Sequence, residues 1–273
     1  MAGIIEAPIL KTRGEIEAMR RAGGLAGRAL ELAAGLAVPG ATTAGMDRAV
    51  EAFIRDHGAT PTFKGYPSGH MGVMPFPASI CASVNEVVVH GIPNGRLLRE
   101  GDILSVDVGV HLDGFCGDAA RTFAIGSVSR KARKLIESTE LALQKAVAAA
   151  RPGGWLIDIA RAVENTAAEA GFSVVRQFVG HGIGRRMHEP PQVPNYVEGL
   201  TDRASGERGL SGFRLDVGLV LAIEPMLNTG SSAVLVDRGD GWTVFTKDRG
   251  LSAHFEHTVA VTDTGPRVLT AAA

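Results

Sequence analysis

Apolar side chains recur every three or four residues in four segments of the chain, and these segments form two pairs. The first pair covers residues 11–57 and is interrupted by Val-Pro-Gly at 38–40. The second covers residues 132–170 and is interrupted by Arg-Pro-Gly-Gly at 151–154. The spacing predicts amphipathic helices at 15–36, at 132–150 and at 156–170. It predicts a further helix after the break at 38–40, which ends near residue 57. Because proline and glycine break each pair, we expect two helical hairpins.

The two predicted hairpins also resemble each other in sequence. Ala-Val-Glu at 49–51 and again at 162–164 stands at the same distance before the glycine that closes its hairpin. This similarity indicates an internal duplication, with halves of about residues 11–125 and 130–268 that form one domain over residues 1–273 around a pseudo-twofold axis. The alternative is that any two helical hairpins look alike at this level, since the helical pattern is degenerate.

Strand-like segments follow each hairpin. They lie at 79–89, 103–111 and 115–124 in the first half, and at 172–179, 217–223, 243–245 and 255–261 in the second. Helices and strands mixed in this way predict an α/β (or α+β) fold. Residues 67–77 and 195–214 have no such pattern. They are predicted to be long loops, which compact domains usually retain for function.

Composition narrows the class of protein. The chain has 273 residues, of which 45% are hydrophobic, and a formal net charge of -1. It can bury a large core, and it has no basic excess for specific nucleic-acid binding. The start lacks a signal-peptide pattern and no apolar stretch is long enough to cross a membrane, so we expect no membrane partner and a cytoplasmic location. Two cysteines outside any Cys-x-x-Cys pair fit a reducing compartment.

An Asp-Gly pair at 113–114 predicts a two-residue hairpin turn between two strands. This turn would place Gly109 opposite Asp118 and Asp107 opposite Ala120. The two aspartates would then share a face of the sheet, about 7–8 Å apart at the backbone. Two carboxylates in strands whose other residues are predicted to be buried need a compensating cation. The alternative is a pair of exposed aspartates beside a turn.

Three further side chains could join these aspartates. His181 lies between two glycines, Glu224 ends an apolar strand, and Glu256 lies in a strand-like alternation. One imidazole with four carboxylates can hold two metal ions with bridging groups between them. This donor set suits Mn, Fe, Co or Zn rather than a metal that prefers thiolates. Each residue alone also has a plain structural interpretation, as a core histidine or a solvated strand end.

Five motifs occur in an order and spacing that resemble those of a known family. They are Val-His-Gly-Ile-Pro at 89–93, the Asp107/Asp118 segment, Gly-His-Gly-Ile-Gly at 180–184, Ile-Glu-Pro at 223–225 and Phe-Glu-His-Thr at 255–258. Together they look like the motif set of type I methionine aminopeptidases, over about residues 11 to 268. The resemblance implies the pita-bread fold, in which a duplicated helix pair covers a curved antiparallel sheet around a pseudo-twofold axis.

The resemblance also implies a dinuclear metal centre with two divalent ions. Asp118 and Glu256 would bridge both ions, Asp107 would complete one site, and His181 and Glu224 would complete the other. Glu224 would in addition act as the general base that moves the proton of the attacking water.

The implied substrate is the N-terminal methionine of nascent polypeptides, with a small second residue preferred and the ribosome exit region as a possible partner. His188 would bind the scissile peptide and stabilise the oxyanion, and His90 would contact the substrate near the scissile nitrogen. The methionine side chain would lie among apolar and soft groups, which are Phe63, Tyr66, Cys81, Met187 and Trp242.

Two alternatives stay open at this level. One is an aminopeptidase P or prolidase on the same fold, and the other is a metal-free pita-bread protein that only binds partners. The stretch 67–77 is longer than the usual type I connection, and the large helical insertion of type II enzymes is absent.

Overall fold

The computed structural model describes residues 7–69, 71–197 and 213–271. Within them the four predicted helices are confirmed as α1 (Arg13–Leu36), α2 (Thr43–Asp56), α3 (Arg130–Ala149) and α4 (Leu156–Ala170). The helices α1 and α3 begin two residues earlier than the apolar spacing indicates. The reason is that Thr12 and Ser129 cap them and accept hydrogen bonds from backbone N–H groups of the first turn.

Fifteen strands occur in the described residues. They are β1 (Thr60–Pro61), β2 (Cys81–Val84), β3 (Val87–Val89), β4 (Ile103–Leu112), β5 (Phe115–Ala124), β6 (Ser173–Val174), β7 (Gly180–Gly182), β8 (Glu189–Val193), β9 (Val220–Ile223), β10 (Met226–Asn228), β11 (Val234–Val236), β12 (Val244–Thr246), β13 (Ser252–His254), β14 (Glu256–Thr262) and β15 (Gly265–Val268). The α/β class is therefore confirmed.

One antiparallel sheet organises the molecule. Its order is β1-β4-β5-β14-β9-β7-β8, with β2 also paired to β4 and β15 to β14. Strands β4 and β5 come from the first half of the chain, and β14, β9, β7 and β8 come from the second. The β5–β14 pairing thus joins the two halves in the middle of the sheet.

Helices cover this sheet in two separate apolar cores. One core packs α1 and α2 against β2, β4 and β5, and the other packs α3 and α4 against β9 and β14. This arrangement is what a duplicated helix pair would produce, although the repeat itself and its boundaries stay a prediction.

The strand predictions were partly wrong. The segment 79–89 is two strands, because Asn85 adopts a left-handed backbone conformation (φ 55°) that turns the chain between β2 and β3. Only Ser173–Val174 of the segment 172–179 pairs as a strand. The segment 217–223 begins at Val220 because Gly218 has a φ of 97°.

The two predicted loops have different outcomes. Residues 67–77 contain no helix or strand in their described part, as predicted, and residue 70 lies outside the described residues. In the predicted loop 195–214, residues 198–212 lie outside them. No helix in the described ranges combines the length and apolar character needed to cross a membrane.

Candidate metal centre and substrate cavity

One cavity of about 620 Å³, including its open mouth, brings together every predicted site residue. The lining consists of Phe63, Tyr66, Phe76, Cys81, His90, Asp107, Asp118, His181, Met187, His188, Glu224, Trp242 and Glu256. Of these thirteen residues, only Phe76 was absent from the sequence prediction. Side chains that are up to 193 positions apart in sequence (residues 63 and 256) therefore line the same cavity.

The acidic side of the cavity is built on three adjacent strands. The β4–β5 hairpin has the predicted register, with Gly109 opposite Asp118 and Asp107 opposite Ala120. Strand β14 continues the ladder and places Glu256 opposite Ala120 from the other side. Asp107 and Glu256 thus flank the same residue, and Asp118 lies two positions away on the shared face.

The second side of the cluster comes from β7 and β9. His181 lies in β7 opposite Ala222 of β9, and Glu224 follows directly after the end of β9. The His181 Nε2 atom lies 3.6 Å from Glu224 Oε1 and 3.9 Å from Asp118 Oδ2. Ligand atoms of Asp118, His181 and Glu256 all lie within 4.8 Å of one another, so the three could hold one ion.

The carboxylates of this cluster need a cation. Asp107 Oδ1, Asp118 Oδ1 and Glu256 Oε1 are fully buried and accept no hydrogen bond from any described residue. Burial, and then repulsion from neighbouring carboxylates, raises the pKa of Asp107, Asp118, Glu224 and Glu256 well above their ordinary values. Buried carboxylates are rarely left unpaired, so the donor set fits divalent metal ions.

His181 has the protonation state that a ligand requires. Burial, and then the nearby His188, lowers the pKa of His181 to about 3, so the imidazole is neutral near pH 7. Its Nδ1 atom lies 2.9 Å from the carbonyl oxygen of Gly182. A hydrogen bond on one ring nitrogen orients the other, and here Nε2 points into the carboxylate cluster.

His254 also belongs to the cluster, and the sequence prediction missed it. It is 2% exposed, and its Nε2 atom lies 3.7 Å from Glu224 Oε2 and 4.0 Å from Glu256 Oε2. Burial, and then the nearby His90, lowers the pKa of His254 to about 3. The available signal was its position two residues before Glu256, since strand alternation places such residues on one face.

His188 and His90 also line the cavity. The His188 ring lies 4.2 Å from the His181 ring, and its Nδ1 shares a 2.6 Å hydrogen bond with the Tyr66 hydroxyl. His90 makes edge contacts with the rings of Phe178 and Trp242. Burial, and then His188, lowers the pKa of His90 to about 4.

Apolar groups form the remainder of the cavity. Phe76 contacts Trp242 edge-to-face at 5.3 Å, and the Trp242 indole donates a 2.9 Å hydrogen bond to the Met74 carbonyl. The long loop 67–77 is thereby attached to the cavity wall. A side chain at Gly109 would meet Phe63 at 2.8 Å and Met187 at 3.0 Å, so glycine there leaves room for these two side chains.

The comparison with protein families now defines the class. A family model described as metallopeptidase family M24 matches residues 17–263. The chain therefore belongs to metallopeptidase family M24. Family membership and the buried donor cluster together make it a metal-dependent peptidase that binds divalent metal.

Relatives within that family are more specific. The chain is 48% identical to the methionine aminopeptidase of Clostridium acetobutylicum over 263 residues, which cover 96% of this chain and 98% of that protein. It is 44% identical to methionine aminopeptidase 1 of Bacillus subtilis, with 96% and 98% covered. Within family M24 the chain thus groups with the methionine aminopeptidases, as the type I resemblance predicts.

Solved structures agree with this grouping. The methionine aminopeptidase from Thermotoga maritima matches with a TM-score of 0.88 at 39% identity, covering 97% of this chain and 100% of that chain. The prolidase from Pyrococcus horikoshii matches with a TM-score of 0.73 at 22% identity, covering 96% of this chain and 63% of that one. The prolidase likeness shows a shared fold alone, and the predicted pita-bread fold is confirmed.

Proposed function

We propose that this chain removes the N-terminal methionine of polypeptides by metal-dependent hydrolysis and prefers a small second residue. The single observation that carries the proposal is the convergence of four carboxylates, two of them on buried residues, and a neutral imidazole in one cavity beside an apolar pocket. The methionine aminopeptidases that cover nearly the whole chain support the same activity.

In this proposal the centre holds two divalent ions, of Co, Mn, Fe or Zn. Asp107, Asp118, His181, Glu224 and Glu256 would hold these ions, with Asp118 and Glu256 as the ligands proposed to be common to both. When bound, such ions lower the pKa of a bound water and polarise the scissile carbonyl. The support is that three of the four carboxylates have a buried oxygen with no hydrogen-bond partner among the residues that the structure describes.

The protein's own groups would then handle the proton and the substrate. Glu224 is proposed to take the proton of the attacking water, because its oxygens lie at the edge of the cluster and line the cavity. His188 would donate a hydrogen bond to the oxygen that gains negative charge, and His90 would lie near the scissile nitrogen.

The methionine side chain is proposed to occupy the apolar part of the cavity. Its walls are Phe63, Tyr66, Phe76, Cys81, Met187 and Trp242, which offer aromatic edges and sulfur to a thioether. Nascent polypeptides are the proposed source of this N-terminus. Association with the ribosome exit region, a cytoplasmic location and a single catalytic domain over residues 1–273 stay predictions.

A matched pair of variants tests the proposal. Metal-free protein is supplied with Mn or Co, and release of methionine from Met-Ala-Ser is measured for wild type, Asp118→Asn and Asp113→Asn. Asp113 lies in the same hairpin but at the exposed turn, where it pairs with Arg21. We expect Asp118→Asn to be inactive with either metal and Asp113→Asn to match wild type.

Two results would contradict the proposal. Equal activity of Asp118→Asn and Asp113→Asn would remove the carboxylate cluster from the reaction. Faster cleavage of a Xaa-Pro peptide than of Met-Ala-Ser by the wild type would assign the cavity to prolidase-like specificity.

A further inference from the structure

The roles proposed above leave one buried imidazole beside the carboxylate cluster without a function. His254 is 2% exposed, and its Nε2 atom is buried with no hydrogen-bond partner in the described part of the chain. A buried polar atom without a partner is costly, so native proteins normally provide one. A partner for His254 Nε2 is therefore expected inside the cluster.

The only described groups that approach this nitrogen as ion-pair partners are two carboxylates of the cluster. Glu224 Oε2 lies 3.7 Å away and Glu256 Oε2 lies 4.0 Å away. Both distances exceed the hydrogen-bond range of about 2.7–3.2 Å. Two atoms that each bind one ion at about 2.0–2.2 Å can lie at most about 4.4 Å apart. The gaps are thus too long for hydrogen bonds and within the span of a shared ion.

Glu224 lies between two imidazoles. Its Oε1 atom faces His181 Nε2 at 3.6 Å, and its Oε2 atom faces His254 Nε2 at 3.7 Å. The ligand atoms of Glu224, His254 and Glu256 all lie within 4.8 Å of one another, and so do those of Asp118, His181 and Glu256. The two triads share Glu256, and each contains one imidazole.

The backbone holds the second triad in place. His254 pairs with Met226 in the β10–β13 ladder, and Glu224 lies two residues before Met226. Glu256 lies two residues after His254 and begins β14, which pairs with β5 and β9. The three side chains therefore approach one another from paired strands and, for Glu224, from the residue directly after a strand, which suits a preformed site.

We propose that His254 is a metal ligand through Nε2, together with Glu224 and Glu256, so that the centre contains two imidazoles. This inference rests on the proposed function, because it concerns the same metal centre. A second nitrogen donor favours Zn, Fe, Co or Ni over Mn, since imidazole suits those metals and Mn prefers oxygen ligands.

Cobalt provides a direct readout of coordinated imidazoles. Metal-free protein is titrated with Co²⁺, and proton NMR counts the sets of imidazole resonances that the paramagnetic ion shifts. We expect two sets for the wild type and one for His254→Gln. The control is His257→Gln, three residues further on, where the ring bonds Thr270 instead, and it should keep two sets.

Affinity provides an independent measure. By calorimetry, His254→Gln should bind zinc at one site more than about 100-fold more weakly than wild type, beyond what loss of an outer hydrogen-bond partner costs. The loss of manganese affinity should be smaller, and His257→Gln should change neither. Circular dichroism of the metal-free variants checks that each one folds.

The wild-type spectrum alone can overturn the inference, even if a variant fails to fold. A single imidazole set in cobalt-loaded wild type would exclude His254 as a ligand while leaving the proposed function intact. Equal zinc affinity of His254→Gln and wild type would overturn it as well. Failure of the wild type to bind any cobalt or zinc would instead refute the proposed function.

Discussion

At the scale of single residues, the hydrogen bond between Tyr66 and His188 determines how one ring faces the cavity. The Tyr66 hydroxyl lies 2.6 Å from His188 Nδ1, which leaves Nε2 as the nitrogen free to act on a substrate. The Tyr66 ring also lines the apolar part of the cavity. The two functions of this side chain can be separated, because the hydroxyl serves His188 and the ring serves the pocket.

We expect Tyr66→Phe to lower kcat for Met-Ala-Ser about five- to tenfold, with a much smaller change in KM. A loss of this size corresponds to the net free energy of one hydrogen bond. The reason is that the ring remains in the pocket while His188 loses its orienting partner. Steady-state kinetics at saturating metal measure the change. The other tyrosine, Tyr196, lies outside the cavity and stacks on Arg176, so Tyr196→Phe is the control. A rise in KM alone would contradict the orienting role.

The sequence predicted single residues of the site unevenly. Asp107 and Asp118 were placed on one face from a local signal, the Asp-Gly turn, and the register is as predicted. His254 was missed although it lies two residues before Glu256, because its position beside Glu224 depends on the β10–β13 pairing, which joins segments 24 or more residues apart. Phe76 was missed for a similar reason, since it lies in a loop without periodicity and meets Trp242 only in the fold.

At the scale of elements, helix α1 packs unusually close to the sheet. Gly23 in α1 and Gly117 in β5 meet backbone to backbone, so a side chain at Gly117 would lie 2.5 Å from the Gly23 nitrogen. A side chain at Gly23 would lie 2.6 Å from the Leu269 carbonyl oxygen. The neighbouring Gly24 has no atom within 4 Å of such a position.

Alanine at these adjacent helix positions should therefore have opposite effects. Gly24→Ala should raise the free energy of unfolding by about 0.5–1 kcal/mol, because alanine is the better helix former. Gly23→Ala should lower it by about 1–3 kcal/mol through overpacking against backbone. Chemical denaturation of both variants measures the difference. Stabilisation by both would show that α1 can move away from the chain around Leu269.

An ion pair attaches the start of the chain to strand β8, next to His188. Lys11 Nζ lies 2.5 Å from Glu189 Oε2, and both side chains are almost fully buried. Lys11 also donates its backbone N–H to the Gly218 carbonyl, and Glu189 accepts a hydrogen bond from the Arg186 backbone. The pair thus connects the segment before α1 to the loop that carries His188.

Lys11→Met should destabilise the protein by about 3–5 kcal/mol, because it leaves the Glu189 carboxylate buried without a counter-charge. The double variant Lys11→Met/Glu189→Gln should recover most of this loss, since it buries no lone charge. Denaturation curves of Lys11→Met, Glu189→Gln and the double variant, compared with wild type, form a double-mutant cycle. Losses that simply add in the double variant would show that the two side chains are not coupled.

Strand β8 is an element that the sequence pattern did not predict. Strand β8 contains Pro190 and Pro191, and two prolines argue against a strand by pattern alone. They are tolerated because, among the described strands, β8 pairs only with β7 and lies at the edge of the sheet. The N–H groups on the other side of its backbone are therefore not needed for strand pairing. The four helices, in contrast, were predictable because their apolar spacing is a local pattern.

At the scale of the whole molecule, the candidate metal centre lies where the two halves of the chain meet. Asp107 and Asp118 come from the first half, and His181, Glu224 and Glu256 come from the second. The sequence predicted two helical hairpins with strands after each one. It could not predict that β14 lies between β5 and β9, because that order depends on pairing between distant segments. The centre exists only through this pairing.

A metal centre that spans both halves should stabilise the whole fold. Each ion held at about 100 times its dissociation constant adds about 2.7 kcal/mol to the free energy of unfolding, provided that the unfolded chain does not bind it. We therefore expect added Mn or Co to raise the Tm of the metal-free protein by about 5–10 °C per site occupied. Differential scanning calorimetry with and without a chelator measures the shift.

The matched aspartates identify the origin of this shift. Asp118→Asn removes a central ligand, so its Tm should respond little to metal, whereas Asp113→Asn, at the exposed turn, should respond like wild type. Metal-free Asp118→Asn should be at least as stable as metal-free wild type, because it removes one of several buried carboxylates that repel one another. An equal metal response in both variants would place the stabilising ions outside the β4–β5–β14 cluster and separate the fold's metal dependence from the cavity.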